Sequence, residues 1–231
     1  MVLSEETPSA DNCMVRNEWI CPEYVTSRAE PLAAALTQHV WITLVSVVLG
    51  LVVAFALALL ARRYPKLEGS IVGATTAVYT VPSLALFALL LPLTGLSAAT
   101  VITGLVLYSL TILVRNILTG LQGVPEDVVE AARGMGYGEQ RLLWTVQMPL
   151  ALPSVMAGLR VAAVSTVALT TVGAIVSYGG LGNLLLEAVN TQFKAQVFTA
   201  SVLCVLLAFT FDLLLVGAQR LLTPWARTRA V

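Results

Sequence analysis

Charged residues are absent from four long stretches of the chain, and these stretches predict its helices. No Asp, Glu, Lys or Arg occurs in the 46 residues between Glu68 and Arg115, and three other windows of 31, 26 and 17 residues also lack charge. A helix needs about 20 apolar residues to cross the roughly 30 Å hydrocarbon core of a bilayer. The longest window contains turn residues at 92–95, so it holds two spans. The pattern predicts five transmembrane helices, at residues 40–61, 71–91, 98–118, 155–176 and 197–217.

The composition agrees with a membrane-embedded chain. Of its 231 residues, 58% are hydrophobic and 11% are charged. A typical soluble domain has about 45–50% hydrophobic and about 25% charged residues. The formal net charge is zero, which excludes a nucleic-acid binder, and the apolar content excludes a disordered chain. Continuous apolar runs, unlike the alternating strands of a barrel, indicate helices. The predicted fold class is therefore an all-α integral membrane protein surrounded by lipid.

Basic residues near the span ends predict which side each end of the chain occupies. With the N-terminus outside, ten basic residues lie inside and three outside, which satisfies the positive-inside rule. Five spans then place the C-terminus inside. The predicted organisation is an extracytoplasmic tail at 1–39, a transmembrane domain at 40–220 and a cytoplasmic tail at 221–231. The first segment lacks the order of a cleaved signal peptide, so we expect the first span to stay as an anchor.

The cysteines and the single histidine offer little chemistry. Cys13 and Cys21 would face the oxidising side, where either a disulfide or two free thiols is compatible with the sequence. Cys204 lies within a predicted span and is expected to pack there. With one histidine and no Cys/His cluster, the sequence predicts no metal site. We expect His39 to anchor the first span at the membrane boundary.

The longest predicted inner segment, residues 119–154, has the pattern of two short helices. Pro125 followed by Glu126 and Asp127 is typical of a helix start. Glycines interrupt the helix at 134, 136 and 138, and a second helix is predicted at 139–147, ended by prolines at 149 and 153. A pattern of this kind by itself also fits a helical hairpin lying on the membrane surface.

This segment resembles the EAA motif of ABC importer permeases. Glu-Ala-Ala at 130–132 is followed after three residues by Gly136, and after nine more by Val-Gln-Met-Pro at 146–149. The resemblance implies coupling helices that seat in a cleft of a separate ATPase. The implied coupling residues are Pro125, Glu126, Glu130, Ala131, Ala132, Arg133, Gly134, Met135, Gly136 and Pro149.

Other stretches are similar to the osmoprotectant branch of these permeases, which handles glycine betaine, carnitine and choline. The similar stretches, within about 35–225, are residues 80–86, 107–110, 114–116, 132–136, 149–153, 157–160 and 179–182. The fourth span departs from the branch, with Ser177 and Tyr178 in place of small residues. The resemblance implies a type I ABC importer permease fold in the bacterial cytoplasmic membrane. It also implies a quaternary-ammonium cargo, a second permease (a copy or a paralogue) and an extracytoplasmic solute-binding protein.

The chain has no glycine-rich phosphate loop, so ATP and Mg²⁺ are expected to bind the partner ATPase, with no cofactor in this chain. A permease for another small solute, such as an amino acid or an alkyl sulfonate, is an open alternative. An intramembrane hydrolase is a more distant one, because it needs a base near a serine and the only histidine lies at the boundary.

Polar residues inside the spans are the candidates for lining a pathway. Tyrosine faces attract quaternary ammonium groups, although ordinary helix packing also explains these residues. The candidates are Tyr79, Thr80, Pro82, Tyr108 and Ser109. We expect Arg115 to reach the inner membrane surface by snorkelling.

Two further groups of residues have predicted roles. The glycine turn of Gly179, Gly180 and Gly182 is predicted to form an outer gate or a simple connector, followed by a short helix. Asp212, buried in the last span, is expected to form a structural ion pair with Arg160, or to accept from Arg220.

Overall fold

A computed structural model describes residues 12–225, and this part of the chain is helical, with no β-strand. A five-residue π-helical turn, Leu143–Gln147, joins α7 to α8, and a 3₁₀ segment, Thr171–Val176, follows α8. In chain order the α-helices are α1 (Pro22–Ser27), α2 (Ala29–Arg63), α3 (Pro65–Thr80), α4 (Ser83–Thr94), α5 (Ala98–Gln122), α6 (Glu126–Gly134), α7 (Glu139–Leu142), α8 (Met148–Thr170), α9 (Leu181–Thr191) and α10 (Lys194–Leu222).

Four helical units are long and apolar enough to cross a membrane: α2, α5, the unit Glu139–Val176 and α10. Each contains one predicted span but is longer than predicted. The first begins at Ala29, so residues 29–39 belong to a membrane-length helix and not to a tail. The predicted tail segments 1–11 and 226–231 lie outside the described residues.

The predicted span at 71–91 is not a single helix. It is divided between α3 and α4, whose axes meet at 101°, so the pair forms either a broken span or a re-entrant loop. Pro82 has no amide hydrogen to donate, and it holds Val81 in an extended conformation (φ −67°, ψ 129°). The sequence predicted a bend at Pro82, and the structure has a complete break. Residues 12–225 therefore contain four membrane-length units, or five if the broken pair counts as one.

Helix α5 lies at the centre of the molecule, between α2 and α8. Its buried face, which includes Leu113 and Ile117, packs against Ala54, Ala58 and Ala61 of α2. Small residues let membrane helices approach closely, which favours van der Waals packing where lipid removes most of the hydrophobic driving force. This packing fixes the positions of the loops at both ends of α5.

The N-terminal segment folds back onto the turn between α9 and α10. A disulfide joins Cys13 to Cys21, which decides between the two alternatives that the sequence left open. Asn17 Nδ2 donates to the Gln192 carbonyl oxygen at 3.0 Å, and the Lys194 amide donates to Asn17 Oδ1 at 2.8 Å. The Tyr24 ring packs edge-on against Phe193. Burial raises the pKa of the Tyr24 hydroxyl.

His39 is fully buried, and the expectation of a boundary anchor is wrong. Its Nε2 lies 3.0 Å from the Val167 carbonyl oxygen of α8. Because α2 begins eleven residues before the predicted span, His39 lies inside a packed helix, about three turns from its start.

Candidate functional site: the coupling loop and the polar face of α3 and α5

Helix α6 carries most of the residues predicted to couple the chain to an ATPase. Its first turn contains Glu126 and Asp127, which complement the positive end of the helix dipole. Ala132 is buried, whereas Glu126, Glu130, Ala131 and the residues at 133–136 are exposed, together with Pro125 before the helix. The helix therefore has one fully buried side chain, that of Ala132, and presents an acidic outer face.

A left-handed glycine ends this helix. Gly136 has φ +83°, and its amide donates to the Arg133 carbonyl oxygen at 2.9 Å. A Cβ at Gly136 would meet no atom within 4 Å, so the backbone conformation, and not space, requires glycine here. This is the sharp turn that the three glycines predicted.

The second part of the loop differs from its prediction, because Pro149 and Pro153 do not end a helix. Pro149 lies in the first turn of α8, where an amide hydrogen is not needed for an intrahelical bond, and Pro153 lies within α8. The π-helical turn directly before Pro149 keeps α7 and α8 continuous. This part of the loop is therefore continuous with a membrane-length helix.

Arg62, at the C-terminal end of α2, contacts the same loop. Its Nη2 donates to Gln147 Oε1 at 2.6 Å and lies 3.6 Å from Glu139 Oε2. Arg133 of α6 donates to the other Glu139 oxygen at 3.0 Å. We call Arg62, Arg133, Glu139 and Gln147 the inner cluster. It borders a cavity of about 800 Å³ and joins α2, α6, α7 and the π-helical turn that precedes α8.

A second polar surface runs along the contact between α3 and α5. The Tyr108 hydroxyl donates to the Val81 carbonyl oxygen at the break after α3. The rings of Tyr79 and Tyr108 meet edge to face with centroids 5.7 Å apart. One turn further along α5, Thr111 Oγ1 donates to the Thr75 carbonyl oxygen at 2.6 Å. The break at Pro82 thus leaves the Val81 carbonyl group outside α3, where the Tyr108 side chain of α5 satisfies it.

The predicted pathway residues are only partly brought together. Tyr79 and Thr80 are exposed beside Pro82, whereas Tyr108 is mostly buried beneath Tyr79. Ser109 does not share this surface, because it is buried, packs against Gly50 of α2 and bonds within its own helix.

Comparison with known proteins decides the family. The sequence model described as "Binding-protein-dependent transport system inner membrane component" matches residues 40–228, which is most of the chain. The chain belongs to this family. It is therefore a permease component of a transport system and not an enzyme.

Two relatives and one solved structure show which transport proteins the permease is similar to. It is 35% identical over 207 residues to the osmoprotectant import permease OsmW of Salmonella typhimurium, covering 87% of this chain and 96% of the relative. It is 33% identical to the choline transport system permease OpuBB of Bacillus subtilis, covering 81% and 86%. A chain of the inward-facing MetNI methionine ABC transporter superposes with a TM-score of 0.77 at 21% identity, covering 85% and 98%. The fold is that of a type I ABC importer permease.

In the permease, the glycine turn at residues 179–182 is hydrogen-bonded to α2. The Gly180 amide donates to Gln38 Oε1 at 3.1 Å, and the Gly179 amide donates to Asn183 Oδ1 at 3.0 Å. Gly182 lies against the backbone of Thr171, where a Cβ would overlap it. The short helix expected after the turn is α9, Leu181–Thr191.

The Arg160 and Asp212 side chains of the permease join α8 to α10. Arg160 Nε lies 2.8 Å from Asp212 Oδ1, and Nη2 lies 3.0 Å from Oδ2. This fork-to-fork geometry is the strongest that an arginine and a carboxylate form, and it pairs two partly exposed charges between α8 and α10.

Several residues that organise these sites were missed in the sequence. Each of them contacts a partner that is far away in the sequence, and neither composition nor spacing reveals such a contact. They are Gln38, Arg62, Thr111, Glu139, Gln147 and Asn183. Two of them carried a usable signal: Asn183 directly follows a glycine turn, and Gln147 lies within the EAA-like motif.

Proposed function

We propose that this permease forms one half of the pathway of an ATP-driven importer for quaternary-ammonium osmoprotectants such as glycine betaine, carnitine or choline. The observation that carries the cargo class is the similarity to an osmoprotectant permease and a choline permease, each over more than four fifths of the chain.

In this proposal, residues 125–136 dock on a separate ATPase. The exposed acidic face of α6, with Glu126 and Glu130, supports this, because an ATPase with basic residues in its cleft would complement it. ATP and Mg²⁺ would bind the ATPase, and this chain would supply no nucleotide ligand. Closure of the ATPase would move α6, and the continuous unit Glu139–Val176 would carry that movement into the membrane.

Two permease chains, identical or paralogous, would enclose the pathway, and a solute-binding protein would deliver cargo from outside. In the proposed orientation the N-terminus faces outwards, the C-terminus faces the cytoplasm and the chain spans the bacterial cytoplasmic membrane five times. The glycine turn and α9 would then lie at the outer face, where they would act as a gate.

Tyr79 is the proposed contact for cargo. Its ring is 46% exposed, and the buried Tyr108 supports it from behind. A cation over a tyrosine face gains about 0.5–2 kcal/mol, which suits a site that must release its cargo. Thr80 and Pro82 would line the same surface.

The alternatives have weaker support. The likeness to the methionine transporter is at 21% identity and concerns the fold, so it does not favour an amino-acid cargo. For an intramembrane hydrolase, the described partner of His39 is a backbone carbonyl and not a serine hydroxyl.

Growth at high osmolarity tests the cargo class. The permease, expressed with its ATPase and binding protein in cells lacking other osmoprotectant importers, should restore growth when glycine betaine, carnitine or choline is supplied. Rescue by an amino acid or an alkyl sulfonate, with no rescue by any quaternary ammonium compound, would show that the proposed cargo class is wrong.

A further inference from the structure

Arg115 and Arg160 lie within membrane-length helices, away from the helix ends, and they differ in their partners. Arg160 is neutralised by the bidentate contact with Asp212. Arg115 of α5 donates from Nη2 to Thr76 Oγ1 at 3.1 Å, and no carboxylate among residues 12–225 forms an ion pair with it. Charged groups within a bilayer are costly and usually pair or face a water-filled cavity. Arg115 therefore lacks the anion that the fold supplies to Arg160.

The Arg115 guanidinium is held beside α3. Its partner Thr76 is eleven residues, or about 16 Å, along α3 from Pro65. Arg115 itself lies seven residues before the end of its own helix at Gln122. Snorkelling of Arg115 towards the membrane surface stays a prediction.

A ring that can bind a cation lies on the same helix as the hydrogen-bond partner of Arg115. Thr76 and Tyr79 are three residues apart on α3, about 4.5 Å along the helix axis. The Tyr79 ring is half-exposed. The Thr111 and Tyr108 side chains donate to the Thr75 and Val81 carbonyl oxygens, and these hydrogen bonds hold α3 against α5 on both sides of Thr76 and Tyr79.

We propose that Arg115 binds the carboxylate of a zwitterionic cargo while Tyr79 contacts its quaternary ammonium group. This inference rests on the proposed function and adds a preference within that cargo class. The planar guanidinium suits a carboxylate, which it contacts through two parallel hydrogen bonds. Glycine betaine and carnitine carry both charges at short separation. Choline has no carboxylate, so it would leave Arg115 without an anion.

Binding to the assembled transporter tests this assignment. The permease with its ATPase is placed in nanodiscs, and thermal stabilisation is measured against increasing glycine betaine or its methyl ester, which keeps the ammonium group but loses the carboxylate charge. The wild type should bind the zwitterion about tenfold or more tighter than the ester. Arg115→Gln should abolish this preference while binding of the ester persists, and Arg115→Lys should retain part of it. Arg63→Gln, which removes an exposed guanidinium at the end of α2, should leave the preference unchanged.

The outcomes separate this inference from the proposed function. If Arg115→Gln keeps the wild-type preference, the role of Arg115 is wrong and the quaternary-ammonium cargo stands. If the wild type binds neither compound, the proposed contact through Arg115 and Tyr79 is wrong, and the growth test decides the cargo class separately. If Arg115→Gln does not assemble, Arg115→Lys and Thr76→Val decide, because Thr76→Val keeps the guanidinium and removes its partner. Both should weaken binding of the zwitterion more than that of the ester, and an unchanged preference in both contradicts the proposal.

Discussion

Two residues of the segment 125–136 have a backbone conformation or a charge that most other residue types cannot supply. They are Gly136 and Glu130. The first is required by a positive φ in open space, and the second presents a carboxylate on an exposed helix face. Their roles can be tested separately, because one concerns the shape of the loop and the other its charge.

Replacing Gly136 with valine should impair transport without preventing membrane insertion. A β-branched residue at φ +83° costs on the order of 1–3 kcal/mol, which the turn can relieve only by moving α6. Solute uptake is measured at matched abundance, with Gly138→Ala as the control, since Gly138 has an ordinary φ of −70° and its Cβ would also meet open space. Equal uptake by Gly136→Val and the parent would show that the turn does not need glycine.

Reversing the charge of Glu130 should release or uncouple the ATPase. Truncating one partner of a buried charge pair typically costs about 2–5 kcal/mol, and Glu130→Lys would add repulsion to that loss. The measurements are copurification of the ATPase and solute-stimulated ATP hydrolysis in vesicles. Glu30→Lys is the control, at the opposite end of α2 from the inner cluster. If the ATPase copurifies normally with Glu130→Lys and solute still stimulates ATP hydrolysis, Glu130 is not part of the interface.

At the scale of helices, the coupling loop is connected to two membrane-length units instead of one. The π-helical turn continues into α8, and the inner cluster adds α2 through Arg62. Stacking of Trp144 on Phe55, with ring centroids 5.8 Å apart, adds a second contact to α2. A shift of α6 should therefore move α2 and α8 together.

A double-mutant cycle tests this connection. Arg62→Ala and Glu139→Ala should each reduce solute-stimulated hydrolysis, and the double variant should be no worse than the more damaging single change. The pair is partly exposed, so its coupling energy should be about 0.2–1 kcal/mol. Arg63→Ala serves as the control at the neighbouring position. Strictly additive losses would show that Arg62 and Glu139 act independently.

The sequence predicted the helices better than their connections. Apolar runs locate α2, α5, α8 and α10 because lipid demands about 20 apolar residues in each. The proline at 82 indicated a bend, but the 101° angle depends on how α4 packs against α5, which no local pattern records. Contacts such as Arg62 to Gln147 join residues 85 positions apart, and only the fold brings them together.

On the scale of the whole molecule, the proposed orientation fixes which surfaces meet the ATPase and which meet the binding protein. The disulfide-linked N-terminal segment, the glycine turn and α9 lie in one region, joined through Asn17 and Gln38. A disulfide is stable on the oxidising side of the membrane, which supports an outer N-terminus.

Labelling of introduced cysteines tests this orientation. In a variant with the three native cysteines replaced by serine, a cysteine at Ser9 should react with an impermeant thiol reagent in intact cells. A cysteine at Thr228 should react only after the membrane is opened. The reverse pattern would invert the topology and place α6 on the wrong side for an ATPase.

Uptake by the reconstituted transporter tests the central claim most directly. Proteoliposomes containing the permease and its ATPase, with ATP inside and binding protein outside, should accumulate labelled glycine betaine. Uptake should depend on ATP, should fall when unlabelled betaine is in excess, and should be unaffected by methionine. An ATP-dependent uptake that methionine suppresses and betaine does not, or no betaine uptake by a transporter that hydrolyses ATP, would contradict the account.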